Sequence, residues 1–190
     1  MNYFNDIINE TIIQKKLIDV CLKKIDWSKR HIGFVEKYEP NNFLVMKELD
    51  QYGRVIGFRE ILFKNIKSIE YGGIYEKNLE TIYFGNIWEK KKTYPRYIKD
   101  LRPDKGRLIK RLIDTQTVCT FFFKDNYVIG ILQEVSKDQL LIKNISFFGV
   151  EDGISSFYIK SLTQIRYNGP LEIRVDFLRK YNIKQEQLAN

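Results

Sequence analysis

The chain is 190 residues long, 44% hydrophobic and 14% aromatic, enough for one ordinary domain or two small ones around packed cores, and its two cysteines, Cys21 and Cys119, are too few for a disulfide framework or a structural zinc site and read as small buried apolar residues. The net charge of +8 is unevenly placed: between Glu89 and Arg111 ten Lys or Arg stand against three acids and carry +7 of it, so an electrostatic partner is expected at this segment and not on its nearly neutral flanks. No apolar run approaches the roughly 18 residues of a spanning helix, and MNYFNDIINE carries acids where a secretory signal carries a basic region, so a cytoplasmic protein without membrane contact is expected.

In chain order the first signal is helical: IINETIIQKKLIDVCLKK, residues 7–24, repeats apolar positions at helical spacing with Asn9 or Thr11 as cap. HIGFVEKY and FLVMKEL are rich in β-branched and aromatic residues and predict two strands, with a hairpin turn at Pro40, Asn41 and Asn42 between them. Gly53 marks the next turn and VIGFREILF the next strand, in which Gly57 stands at a bulge, bend or close approach. Phe63, Ile66 and Ile69, spaced by three, suit a strand interrupted by one tight helical turn. Past the basic segment, DKGRLIKRLID (residues 104–114) predicts a second helix with Asp104 as N-cap. YVIGILQEV and QLLIKNI predict strands around a turn at Lys137-Asp138, and Gly149, DGISSFYI with Gly153, and Ile159, Leu162 and Ile165 complete the series.

The second series copies the first. Residues 50–73 and 146–169 match at six of 24 positions: Gly53 with Gly149, Gly57 with Gly153, Lys64 with Lys160, Ile69 with Ile165, Tyr71 with Tyr167, and Gly73 with Gly169. Leu44-Val45-Met46-Lys47 faces Leu140-Leu141-Ile142-Lys143 at the same offset of 96, whereas Gly33 faces Gly130 at 97, so the copies differ by one residue at the first hairpin turn. A shared Leu-Ile-Asp, at Leu17-Ile18-Asp19 and Leu112-Ile113-Asp114, assigns a helix to each copy. The repeated units run over about 25–88 and 112–180, which divides the chain into residues 1–88, a basic aromatic connector 89–111, and residues 112–190.

The order Gly-x-Val/Leu, turn, apolar strand, Gly-containing turn, then apolar residues spaced by three resembles the Sm-like and SH3-like small barrels. The resemblance covers about two thirds of the chain and implies an all-β fold with minor helix: two tandem barrels, each preceded by a short helix. It departs from the Sm family where that family binds RNA. The loop that there carries an Asp and an Asn is Glu39-Pro40-Asn41-Asn42 in one copy and Ser136-Lys137-Asp138-Gln139 in the other. Tyr71-Gly72-Gly73 and Tyr167-Asn168-Gly169 stand near its second motif, so the resemblance extends to fold and not to the uridine pocket.

Residues for chemistry are scarce. The single histidine, His31, has no evident partner and reads as a surface or strand-edge residue; Glu151-Asp152 reads as a solvated turn; there is no phosphate-binding glycine loop or metal-ligand spacing. A non-enzymatic binding protein without metal or cofactor is expected. In WEKKKTYPRYIKDLRPDKGRLIKR, Trp88, Tyr94 and Tyr97 are interleaved with Lys and Arg, and Pro95 and Pro103 oppose a continuous helix. Such a stretch can hold RNA or single-stranded DNA, with Lys90, Lys91, Lys92, Arg96, Arg102, Arg107, Lys110 and Arg111 on phosphates and the three rings stacking bases. It can equally be a solvated linker whose rings pack on the flanking units. The alternative function is a protein-interaction module, an adaptor or small inhibitor, that presents aromatic faces such as FFF at 121–123 and SFFGV at 146–150. Monomer and homodimer are both compatible with a tandem pair that covers its own edges.

Overall fold

The structure is a computed structural model that describes residues 3–22, 30–90, 94–99 and 106–189. The chain divides into two compact units, Met1–Trp88 and Glu89–Asn190, each around its own antiparallel sheet. Strands take 42% and helices 36%, so the protein is mostly β but far richer in helix than expected. No helix among the described residues is long and apolar enough to cross a membrane.

In the first unit α1 (Tyr3–Gln14) leads into β1 (Ile18–Cys21), β2 (Arg30–Glu39), β3 (Phe43–Leu49) and β4 (Val55–Leu62). A single 3-10 turn, Phe63–Asn65, separates β4 from β5 (Ser68–Tyr71), and α2 (Ile74–Phe84) and the one-turn α3 (Ile87–Lys90) follow. The strands lie in the order β4-β3-β2-β1-β5. Alternation along β3 turns Leu44 and Met46 inward, where they meet Ile8 of α1, Ile18, Val20, Ile61 and Ile66. Leu79 and Ile82 of α2 are fully buried, Ile82 lying against the Gly53 turn.

The second unit opens with β6 (Arg96–Ile98) and α4 (Gly106–Asp114), then β7 (Val118–Phe123), β8 (Tyr127–Val135), β9 (Gln139–Ile145) and β10 (Glu151–Tyr158). A 3-10 turn, Ile159–Ser161, precedes β11 (Leu162–Tyr167) and α5 (Pro170–Ala189). The order is β10-β9-β8-β7-β11-β6, that of the first unit with β6 added beyond β11. Adjacent residues of β7 face opposite ways: Cys119 and Phe121 join Ile109 and Leu112 of α4, while Val118 joins Ile129, Ile131 and Val175 of α5. The sheet is thus packed on both faces. In each unit the sheet is open and not a closed barrel, with β4 and β5, or β10 and β6, as end strands.

The duplication extends past the residues that first suggested it. Ile18 faces Gly33 and Tyr71 across its sheet, and Cys119 faces Gly130 and Tyr167, so β1 and β7 correspond at an offset of 101. The same offset aligns the helix ends: Lys15 and Gln116 both take positive φ, 52° and 48°. The next amide in each copy reaches back over the helix, Lys16 N–H to Thr11 O and Thr117 N–H to Leu112 O. The Leu-Ile-Asp match is therefore a coincidence, since Ile18 and Asp19 lie in β1 while Leu112–Asp114 close α4. The expected helix over 7–24 stops at Gln14, because β-branched Ile18 and Val20 gain more from an interior strand paired with both β2 and β5. Neither Asn9 nor Thr11 caps α1; both are inside it, and Thr11 Oγ1 donates back to Ile8 O at 2.9 Å. Asp104 lies outside the described residues.

The connector 89–111 supplies β6 and most of α4 to the second unit's fold. The helices α2 and α5 were not anticipated. Each begins beyond a paired glycine, and Gly169 N–H donates to Glu172 Oε2 at 3.0 Å with Pro170 in the first helical position. Phe121 and Phe123 are core, Phe123 stacking on Phe157 at 4.4 Å. Phe147 lies under the buried Arg174 guanidinium at 3.7 Å.

Gly149 shows how tightly α5 is seated. It has φ +75°, and a Cβ there would overlap the backbone of Leu178 and Arg179. Gly149→Ala should destabilise the protein by about 2–4 kcal/mol, from left-handed strain and overpacking together, read as a lower urea midpoint at unchanged m value.

Candidate functional site

Where β6, β11 and the start of β7 come between α4 and α5, the second unit holds a cavity of about 420 Å³. Its walls include Arg96 of β6, Arg111 of α4, Tyr167 and Asn168 at the end of β11, and Asp176 and Lys180 of α5. The volume suits a ligand about the size of a nucleotide. Asn168 Nδ2 ties the β6 entry to the floor by donating to Tyr94 O at 3.1 Å, while Thr115 Oγ1 donates to Arg111 O at 2.7 Å.

The charges of this cavity are unequally engaged. Asp176 is held by Lys180 at 2.6 Å and Arg179 at 3.3 Å, and Glu172, 2% exposed, by Arg166 Nε at 2.9 Å and the Thr120 hydroxyl. Arg96 and Arg111 are exposed, and among the described residues neither has a carboxylate within ion-pair distance. Among the described residues the local field is therefore that of two guanidiniums without a carboxylate partner beside satisfied acids, which favours an anion.

The structure places the sequence-derived candidates unevenly. Arg96 and Arg111 meet in the cavity, Arg107 and Lys110 are exposed on α4, and Tyr94 and Tyr97 are 66% and 54% exposed. Trp88 belongs to the first unit: its indole N–H donates to Tyr52 O at 2.9 Å, and Arg54 lies 5.9 Å from its ring centre. Lys91, Lys92 and Arg102, and the side chain of Lys90, lie outside the described residues. Sequence reading missed Tyr167, Asn168 and Lys180, which join the site only because α5 packs back on the sheet.

The corresponding place in the first unit differs in kind. Glu10 stands where α4 has Arg111, and its Oε2 accepts from Tyr71 OH at 3.1 Å; Glu80 Oε1 accepts from Leu17 N–H at 2.7 Å. Burial foremost, with nearby Glu76 and Glu70, pushes the Asp19 carboxyl above its ordinary value in spite of Arg30.

His31 is not a strand-edge residue. It lies in β2, between β3 and β1, with Nδ1 2.6 Å from Glu48 Oε1, whose Oε2 accepts from Arg59 Nε at 2.8 Å. Burial works against the Glu48 charge, but the hydrogen bonds and charges of His31 and Arg59 outweigh it and hold the carboxyl below its ordinary value of 4.5. A depressed folded pKa contributes stability that is complete above about 4.5 and is lost as pH falls through the lower folded value. Glu48→Gln should therefore flatten the acid limb of a urea stability profile between pH 6 and 3, and an unchanged limb would remove Glu48 from the account. Of the two cysteines, which form no disulfide, Cys119 is fully buried, with its thiol pushed far up by burial, whereas Cys21 is half-buried at the end of β1.

Comparison of the chain with protein-family models, with curated proteins and with solved structures finds no match.

Proposed function

We propose that the protein is a non-enzymatic binding protein whose second unit holds single-stranded nucleic acid, RNA or single-stranded DNA, with phosphates at the cavity between α4 and α5. The observation that carries this reading is the meeting of Arg96 and Arg111, from separate elements, in one cavity where neither is paired to an acid among the described residues. Exposed Arg107 and Lys110 continue the positive surface along α4, and Tyr94 and Tyr97, flanking Arg96 in sequence, supply exposed rings. We read both units as variants of the Sm-like or SH3-like design, supported by the helix, the four strands, the single 3-10 turn and the fifth strand in the same order. A cytoplasmic location belongs to the same proposal.

Fluorescence anisotropy with a labelled oligouridine tests it. Binding is expected at about 50 mM salt and should weaken steeply toward about 200 mM, log K falling by roughly 0.7 per phosphate contacted for each unit of log salt. No binding at low salt, or binding indifferent to salt, would overturn the reading.

A second reading, a protein-interaction module, draws on the end strand β4, where Val55, Ile56 and Phe58 are 49%, 58% and 68% exposed. It predicts a stoichiometric protein partner that stays bound in high salt and is released by Phe58→Lys.

A further inference from the structure

The uncovered part of the second sheet carries a row of side chains that the cavity does not use. Tyr127 of β8 pairs with Phe122 of β7, their rings 6.1 Å apart. The Arg166 guanidinium of β11 lies 5.2 Å from the Phe122 ring centre, and Tyr97 of β6 stands directly opposite Arg166. Cross-strand partners share a face, so Tyr127, Phe122, Arg166 and Tyr97 form one alternating line over four adjacent strands, about 14 Å at ordinary strand spacing. Its two ends are open, with Tyr127 58% and Tyr97 54% exposed.

Arg166 is fixed in place. Its Nε donates to Glu172 Oε1 at 2.9 Å, so the guanidinium is held beside Phe122 at little further entropic cost on binding. Tyr97 and Arg166 point to the opposite face of the sheet from their neighbours Arg96 and Tyr167, which line the cavity, and β6 is the end strand, so row and cavity meet around that edge. The first unit, at corresponding positions, has Cys21, Arg30 and Glu70. There Arg30 is closed into ion pairs with Asp19 at 2.8 Å and Glu70 at 2.6 Å, and no strand corresponds to β6 among the described residues. Among the described residues the row belongs to the second unit alone, as does the pair of guanidiniums without an acid partner at the cavity.

We infer that this row is a base-stacking platform, on which about two or three bases of a single strand lie against Tyr97, Phe122 and Tyr127 while the backbone rounds the end strand β6 to reach Arg96 and Arg111. The inference rests on the nucleic-acid reading and adds to it that recognition is by base faces as well as phosphates. Flat aromatic faces tolerate any base, so binding is strand-selective with little sequence preference. A duplex, whose bases are already stacked and paired, cannot use the platform.

Two probes of equal length and charge separate the terms: a labelled oligouridine and an abasic oligonucleotide, both titrated against the full chain. The wild type should prefer the base-bearing strand by roughly tenfold or more. The double variant Tyr97→Ala with Tyr127→Ala, at two exposed positions that cost the fold little, should lose about tenfold per ring on oligouridine and nothing on the abasic strand. Tyr97→Phe with Tyr127→Phe should restore binding. Equal affinity of the wild type for both probes, or alanine variants that bind oligouridine unchanged, would sink the platform and leave the phosphate cavity standing. Failure of both probes to bind would sink the parent reading and the platform with it.

Discussion

Reversing the two cavity charges together, Arg96→Glu with Arg111→Glu, is expected to weaken oligouridine binding by about 100-fold or more at low salt, since each lost phosphate contact is worth on the order of tenfold and a carboxylate in its place adds repulsion. The salt slope should fall by about 1.4, two contacts at roughly 0.7 each for a single strand. The control carries the same change of net charge on the other unit: Lys64→Glu with Lys67→Glu, both exposed around the 3-10 turn before β5. That pair should alter affinity only through the long-range field, which salt screens within about 10 Å at 0.1 M. Equal losses in the two variants would mean that net charge, and no particular site, accounts for binding.

The largest stability effect is expected at Glu172. Its carboxylate is almost wholly buried and accepts from the Thr120 hydroxyl, from Arg166 Nε and from Gly169 N–H, so it joins β7 and β11 to the start of α5. Glu172→Leu leaves three donors without their acceptor. Breaking a buried pair by removing one partner costs about 3–5 kcal/mol, and the 26% exposure of Arg166 to water places this case near the lower end. Urea unfolding should show the midpoint falling at unchanged m value, and a loss below about 1 kcal/mol would mean that the network is not what anchors α5. Thr120→Val, which removes one donor and keeps the shape, should cost far less than the acceptor it serves.

Strands β2 to β5 and β8 to β11 were legible because alternation, glycine turns and the spacing of Phe63, Ile66 and Ile69 are local signals, and the copy at offset 96 repeated each of them. Even the one-residue slip is where the hairpin turn shortens: Tyr38 to Leu44 in one copy, Val135 to Leu140 in the other. β1 and β7 were not legible. Ile18–Cys21 is short, follows a helix directly and is extended only because it has partners on both sides; VCTFFF is apolar on both faces because α4 covers one and α5 the Val118 end of the other. The helices α2 and α5 left a signal that was passed over, a glycine followed three residues later by a glutamate, Gly73 with Glu76 and Gly169 with Glu172. Of the site, the basic residues could be read from composition. Their meeting with Tyr167 and Lys180 could not, because it depends on α5 folding back over a sheet whose edge strand comes from the connector. The row from Tyr127 to Tyr97 was equally hidden, since Tyr97, the hairpin of Phe122 and Tyr127, and Arg166, separated by 25 and 39 residues, must come into register before those rings share a face.

Residue-resolved NMR shift mapping of the full chain against a short oligouridine tests the central claim most directly. The claim predicts saturable shifts at the amides of Arg96 and Tyr97, through the last turn of α4, and from Arg166 to Lys180, with the first unit's amides unmoved. Shifts confined to Met1–Trp88, or none at concentrations where binding is saturated, would contradict it.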